Sequence, residues 1–361
     1  MNKISWFKTC VGEPELSKIR EAFRHECVSM GRVTEELEAK LAASLGVPYC
    51  VVTTSGSVAL LLALLALSVR PGDEVIVPNR GWVAAAHAVL LVGAKVVLAD
   101  VQPELPLMDI EDVKRKITSR TKAIIPLHLN GRSVVGMKAL LKLAREKGIS
   151  VIEDACQAIF SKNTDGFLGT QGTIGCFSLG MAKLVATGQG GFLVMKDEAV
   201  YRDVRSLRSH GVRDNFTEAW YKFGFNFKFT DIQAAVGLAQ LERVGGRIQH
   251  LQSIYRKYDE ALAGMRRVKM VPVKVAEGEI PLYIEALALH RDDLIEFLKQ
   301  RNIQARPATP DLDPSAYLGQ KGDFPYSRKF ADQGIYLPGG PEQPLENIDS
   351  VIEALREFEI G

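Results

Sequence analysis

Lys183 stands in the stretch Gly175-Cys-Phe-Ser-Leu-Gly-Met-Ala-Lys-Leu-Val-Ala-Thr-Gly-Gln-Gly-Gly191, among small and apolar residues. A charged amine is costly to bury, so such a setting is expected to lower its pKa. The neutral amine is the form that attacks an aldehyde, and a lysine of this kind can hold a carbonyl cofactor as a Schiff base. The plain alternative is a surface lysine at a strand end. Asp154 closes the run Ile149-Ser-Val-Ile-Glu-Asp. An acidic residue at the carboxyl end of a parallel strand is where α/β folds put ligand contacts, although the same residue can cap a following helix. Ser55-Gly56-Ser57 joins a strand-like run to a helix-like one. Backbone N–H groups at a helix start favour a phosphate and Ser57 adds a hydroxyl, while a plain serine N-cap accounts for the same pattern. Trp82 follows another strand end, suited either to stacking on a flat ring or to core packing. Gly188-Gln-Gly-Gly191 does not fit GxGxxG, and no such motif follows the first strand, which counts against a dehydrogenase.

These residues need a scaffold that brings strand ends together. Runs at 49–54, 74–78, 94–100, 122–128 and 149–154 read as strands, with another at 192–195. Their unbroken apolar character predicts strands covered on both faces, in a largely parallel α/β sheet flanked by helices. Helices are predicted from about 58, from near Gly81 and over 135–147. After Gly224 the pattern changes: a long helical region over 230–265 with a break at Gly245-Gly246, a strand at 281–289, a helix at 292–301, a Pro-rich loop and a last helix at 347–358. The reading is a large domain over 1–245 and a smaller α+β domain over 246–361, with the N-terminal segment assignable to either.

Composition narrows the function classes. The 361 residues are 47% hydrophobic and 24% charged, enough for a sizeable core without disulfides or a structural metal. Lys and Arg number 45 against 43 Asp and Glu with no strongly basic stretch, which gives no reason to expect nucleic acid or an anionic membrane as partner. The five cysteines are scattered and form no CxxC pair, so neither a disulfide framework nor a metal site is expected. The opening residues lack the apolar region of a signal peptide, and the run 58–69 is too short to span a bilayer. A cytoplasmic protein is expected.

Taken in order, Ser55-Gly56-Ser57, Trp82, Asp154 with Gln157, then Ser178 and Lys183 resemble the sugar aminotransferase family of DegT and StrS type, which are fold-type-I pyridoxal 5'-phosphate (PLP) enzymes. Thr121-Lys-Ala-Ile-Ile-Pro-Leu-His-Leu-Asn-Gly131 and Gly224-Phe-Asn-Phe-Lys-Phe-Thr-Asp-Ile-Gln-Ala-Ala-Val-Gly-Leu-Ala-Gln-Leu241 match that family as well. The resemblance runs from Gly31 to about residue 245 and returns at Leu337-Pro338 and the last helix. It implies that Lys183 forms the internal aldimine and carries the proton between the donor's α-carbon and the cofactor's C4′. It also implies Asp154 beside the pyridine nitrogen, Gln157 on the phenolic oxygen and Trp82 stacked on the ring. Gly56, Ser57 and Ser178 would hold the phosphate. Asn226 would reach it from a partner subunit, hence a homodimer with shared sites. The implied reaction is ping-pong, with L-glutamate giving its amine to a keto sugar, nucleotide-linked or free. The setting would be amino-sugar biosynthesis for lipopolysaccharide or another cell-surface polysaccharide.

The chain departs from the family at Gln189, where a Glu is usual, and at Gly172-Thr173, where Gly-Asp is frequent. It departs again at Gln304-Ala-Arg-Pro-Ala-Thr-Pro310, in place of a His-Tyr-Pro run, and at Lys228, in place of an Arg. These positions lie mostly where relatives meet the substrate, so they bear on the acceptor rather than on the cofactor. Arg306, Arg213 and His210 are further candidates for substrate contact, each equally able to be a surface or structural residue. Two other readings share the resemblance: a sugar dehydratase, whose comparators carry His at the lysine position, and a non-catalytic PLP-binding regulatory protein. Lys183, Asp154 and the phosphate motif together count against both.

Overall fold

Val- and Ile-rich runs alternate with helices through the first half of the chain, and a computed structural model describes residues 3–212, 220, 222–319 and 322–360. Helices α1 (Glu13–Arg24) and α2 (Arg32–Leu45) come first. Then follow β1 (Tyr49–Thr53), α3 (Gly56–Ala66), β2 (Glu74–Pro78), α4 (Ala84–Leu91), β3 (Lys95–Ala99), α5 (Ile110–Lys116), β4 (Thr121–Ile124), α6 (Met137–Lys147) and β5 (Ser150–Asp154). A small hairpin, β6 (Lys162–Asn163) and β7 (Gly166–Phe167), precedes β8 (Ile174–Ser178), β9 (Gly191–Met195), α7 (Glu198–Arg208), α8 (Asp231–Glu242) and α9 (Val244–Leu262). The last part holds β10 (Val268–Met270), β11 (Ile284–Ala288), α10 (Arg291–Gln300), β12 (Arg306–Pro307), α11 (Pro325–Gln333), β13 (Gly334–Leu337) and α12 (Leu345–Ile360).

Seven strands form one sheet in the order β1-β9-β8-β5-β4-β2-β3. Every pair is parallel except those made by β9, which runs antiparallel to β1 and β8. This is the expected mostly parallel mixed sheet. Its strands are buried on both faces, which is why they read as continuous apolar runs. Helix α3, GSVALLLALLA, is apolar all round because it is packed against β8, β9, α4 and α7 at once. Four antiparallel strands in the order β10-β11-β13-β12 form a second sheet, whose core is shared with α9, α10 and α12. The N-terminal segment lies with this sheet, through bridges from Ile4 to Ile303 and from Phe7 to Gly339.

Two buried ion pairs join segments near the first sheet's strand ends to the later part of the chain. Arg132 Nη1 donates to Glu285 Oε2 at 2.6 Å, and Arg80 Nη1 to Asp311 Oδ1 at 3.1 Å.

Several boundaries differ from expectation. Strand β4 ends at Ile124, four residues early, because Pro126 has no N–H to continue the ladder. The helix expected from Gly81 begins at Ala84. Gly81 has φ +153, and a Cβ there would lie 2.2 Å from Leu127 Cδ2, so it serves as the close-packed turn before the helix. The break in the long helical region falls at Arg243, and Gly245 and Gly246 lie inside α9. First-turn residues need no intrahelical N–H partner, so glycine costs little there. The pattern reading passed over α1, α2, α5, α7 and α11, the β6–β7 hairpin, and β10, β12 and β13. Among the described residues no helix is long and apolar enough to cross a membrane.

Candidate active site

The carboxyl ends of the parallel strands β1, β2, β5 and β8, with the chain beyond β4, open onto one cavity of about 320 Å³, closed on its far side by residues of the second sheet. Gly56, Ser57, Trp82, Asp154, Gln157, Ser178 and Lys183 all line it. Seven of the eight residues to which the resemblance gives a part in the cofactor site thus converge, although they span more than a hundred positions.

At the end of β1, Ser55 accepts from Val58 N at 3.1 Å and caps α3. The serine-cap reading therefore applies to Ser55, and Ser57 is left in the first turn among N–H groups without helical partners. Gly56 is packed too closely for a side chain: a Cβ would meet Cys156 Sγ at 2.8 Å and Ser178 Cβ at 2.9 Å. Gly191, at the start of β9, presses on the same turn, where a Cβ would lie 2.5 Å from Gly56 N. The result is an anion cradle made of backbone, with the Ser57 and Ser178 hydroxyls beside it.

Asp154 is buried at the end of β5, and the helix-cap alternative does not hold because no helix follows. Its Oδ1 accepts from Cys156 N at 3.0 Å. Burial raises its pKa, against the lowering effects of the Cys156 N–H, Lys183 and His128. Beneath it, buried Glu153 accepts from His128 Nε2 at 2.8 Å and from the N–H groups of Gly169, Gln171 and Gly172. Burial pushes Glu153 up, but these donors hold its pKa below the ordinary value. Gln157 Oε1 accepts from Asn130 N at 2.8 Å, which leaves its amide nitrogen as the group available to the cavity.

Lys183 lies in the segment between β8 and β9, its Nζ donating to the Tyr283 hydroxyl at 3.3 Å. The expected lowering of its pKa is corrected by the structure. Burial does favour the neutral amine, but Tyr283, Cys156 and Asp154 outweigh it, and the pKa lies above the ordinary lysine value. Trp82 is 60% exposed, which sets aside core packing and leaves its indole on the cavity wall. Arg306 also lines the cavity, its guanidinium 3.6 Å from the Trp6 ring centroid, and its buried Nε has no partner among the described residues. Gln189 lines the cavity too, its carbonyl held by Thr187 Oγ1 and Gln233 Nε2.

Asn226 is not part of this lining. It is exposed, bridged to Ser209. His210 is exposed and outside the cavity, and Arg213 lies outside the described residues. The sequence reading missed Trp6, His128, Tyr283, Thr309 and Tyr336, all in the lining. His128 had a signal, since it stands in the Pro-Leu-His-Leu-Asn-Gly stretch beyond β4. Thr309 had one too, lying in the Gln304–Pro310 stretch that departs from the family, whereas Trp6, Tyr283 and Tyr336 come from the N-terminus and the later part of the chain and had none.

A family model described as the DegT/DnrJ/EryC1/StrS aminotransferase family matches residues 9–356. The chain is 33% identical to GDP-perosamine synthase of Caulobacter vibrioides over 361 residues, covering 96% of each. Among solved structures, DesV of S. venezuelae superposes with a TM-score of 0.92 at 27% identity, over 99% of both chains. Spr1654 of Streptococcus pneumoniae in its PLP form superposes with a TM-score of 0.93 at 25% identity, over 99% of this chain and 98% of that one.

Proposed function

The chain belongs to the DegT/DnrJ/EryC1/StrS aminotransferase family of PLP-dependent sugar aminotransferases, and we propose that it moves the amine of L-glutamate onto a keto sugar carried on a nucleotide. The observation that carries the chemistry is the meeting of half-buried Lys183 and buried Asp154 with the start of α3 on one cavity. The nucleotide-linked acceptor rests on the Caulobacter relative, whose name specifies a GDP sugar.

The cavity suits the cofactor on three counts. It has a backbone cradle for a phosphate, held open by Gly56, where any Cβ would collide. It has a buried carboxylate, Asp154, for a ring nitrogen, and an amine, Lys183, for an aldehyde. When bound, PLP supplies that aldehyde and a ring that takes up the electrons left when a carbon loses its proton.

The chain's own residues would do the rest. The first turn of α3, with Ser57 and Ser178, binds the phosphate through N–H and O–H donors. Asp154 holds the pyridine nitrogen in its protonated form by charge, an interaction strengthened by its burial. The Gln157 amide orients the phenolic oxygen and Trp82 covers one face of the ring. Lys183 Nζ would hold the cofactor's aldehyde between turnovers and, once released, would carry the proton taken from the donor's α-carbon. Arg306 offers a cation to the carboxylate of the donor.

We place the two active sites of a cytoplasmic homodimer at the subunit boundary. Asn226 is exposed and outside its own chain's cavity, and Phe223 and Phe225 beside it are exposed apolar surface of the kind that interfaces cover. We divide each chain at about residue 245, with residues 3–8 joining the smaller unit, as the Ile4 and Phe7 bridges support.

Absorbance of the PLP-loaded protein tests the reaction. Glutamate should bleach the lysine-linked chromophore, and a GDP-linked keto sugar should restore it. A chromophore indifferent to glutamate would refute the donor, and restoration only by a free keto sugar would refute the acceptor.

A further inference from the structure

The Tyr283 hydroxyl that accepts from Lys183 Nζ itself donates to the Ala182 carbonyl at 2.9 Å. A phenol has one proton. With that proton committed to Ala182, the oxygen meets Lys183 with lone pairs alone, so it can accept from the amine but cannot donate to it. The tyrosine is fixed from behind as well. Asn130 Nδ2 donates to the Tyr283 carbonyl at 2.7 Å, and Asn130 Oδ1 accepts from Tyr283 N. Asn130 is buried and takes the left-handed backbone, at φ +57, while its own N–H bonds Gln157 Oε1. Asn130 thus joins Gln157, in the turn beyond β5, to the tyrosine that meets the lysine, through its backbone N–H on one side and its side-chain amide on the other. The ring is packed against Trp6 and Tyr336, with centroids 5.6 and 5.2 Å away.

We propose that Tyr283, clamped by Asn130 and Ala182, is a positioning residue that stabilises Lys183 Nζ in its protonated form and fixes its place while it carries the proton. This rests on the reading of Lys183 as proton carrier. The other titratable groups facing the amine are Asp154, at the end of β5, and Cys156, in the loop after it. With Asp154 engaged by the ring nitrogen in the loaded site, the tyrosine oxygen is the hydrogen-bond acceptor that the described residues give the released amine.

Tyr283→Phe keeps the ring and removes the oxygen. In the apoprotein, Lys183 labelling by acetic anhydride, followed by peptide mass spectrometry across pH, reports how readily the amine loses its proton. Losing one charge-assisted hydrogen bond should displace the whole profile to lower pH by about one unit, a roughly tenfold faster labelling at pH 9, or ~1.4 kcal/mol. Mere loosening of the packing would raise labelling at every pH without displacing the profile. In the holoenzyme the glutamate half-reaction should slow about tenfold with the KM for glutamate unchanged. An undisplaced profile overturns the inference. Should Tyr283→Phe fail to fold, Asn130→Gly removes the clamp, glycine tolerating the positive φ, and must displace the profile in the same direction or the inference falls. Borohydride trapping of the pyridoxyl group on another lysine would sink the underlying reading instead. Trapping on Lys183 with an undisplaced profile would sink this inference alone.

Discussion

Gly56→Ala probes the phosphate cradle with the smallest possible change. The added methyl would lie 2.8 Å from Cys156 Sγ and 2.9 Å from Ser178 Cβ, with the Phe177 carbonyl oxygen at 3.4 Å. Ordinary contacts lie near ~3.5–4.0 Å, so the methyl intrudes by about 0.6–1.2 Å. The obstacles are a loop behind a central strand and the end of β8, neither of which can swing aside like the tip of a long side chain. Gly191 presses on the backbone of the same turn, so the first turn of α3 cannot withdraw without opening its contact with β9. Overpacking of this kind costs ~1–3 kcal/mol. Where that cost falls on the form of the turn that receives the phosphate, each ~1.4 kcal/mol is a tenfold loss of affinity. Affinity for PLP should therefore fall by roughly 10- to 100-fold, with a melting temperature a few degrees lower. Titration of the apoprotein, read by absorbance of the lysine-linked chromophore, measures the first, and thermal melts measure the second. Gly245→Ala, with nothing within 4 Å of the new methyl, is the control and should leave PLP affinity unchanged. If Gly56→Ala binds PLP within twofold of the parent and melts at the same temperature, the close-packed cradle is refuted.

Asp154→Asn should leave the fold intact and slow the glutamate half-reaction by roughly 10²-fold or more, since an amide cannot hold a protonated nitrogen by charge. Stopped-flow absorbance checks it, and a loss under tenfold would count against the role. Glu285→Gln should destabilise by ~3–5 kcal/mol in urea unfolding, because Arg132 would stay buried without its countercharge. The double change with Arg132→Met should recover much of that loss. Burial pushes Glu74 up, but hydrogen bonds from Thr118, Arg120 and Lys95 outweigh it and bring its pKa to about 2, from 4.5 when unperturbed. A carboxylate with a depressed folded pKa stabilises fully above its unfolded value and loses that contribution as pH falls toward the folded one. Glu74→Gln should therefore lower the melting temperature at pH 7, and the deficit should narrow below about pH 4.5. A deficit that stays constant down to pH 3 would refute the assignment.

Much of this arrangement was legible before any coordinates. The parallel strands announced themselves because burial on both faces demands short, unbroken apolar runs, and α3 did so because a helix enclosed on every side is apolar all round. Ser57 and Asp154 were readable because each stands at the end of such a run or just beyond it, where an α/β sheet gathers its ligand contacts, Lys183 because of its small and apolar neighbours, and Ser178 through the family resemblance. What the sequence by itself determined is this local grammar of strand, turn and helix, and through it the chemistry of one wall of the cavity.

The opposite wall was decided by packing alone. Trp6, Tyr283, Arg306 and Tyr336 come from the N-terminus and the second sheet, and Lys183 meets Tyr283 across 100 positions. No local pattern encodes such a meeting, because it follows from how the two sheets dock, through Asn130, the Arg132–Glu285 pair and the Arg80–Asp311 pair. The pKa of Lys183 shows the consequence. Its apolar neighbours in sequence predicted a lowered value, and the tertiary neighbours Tyr283, Cys156 and Asp154 raise it. Charge interactions depend on distance through space rather than along the chain, so the sign of that shift belonged to the tertiary structure.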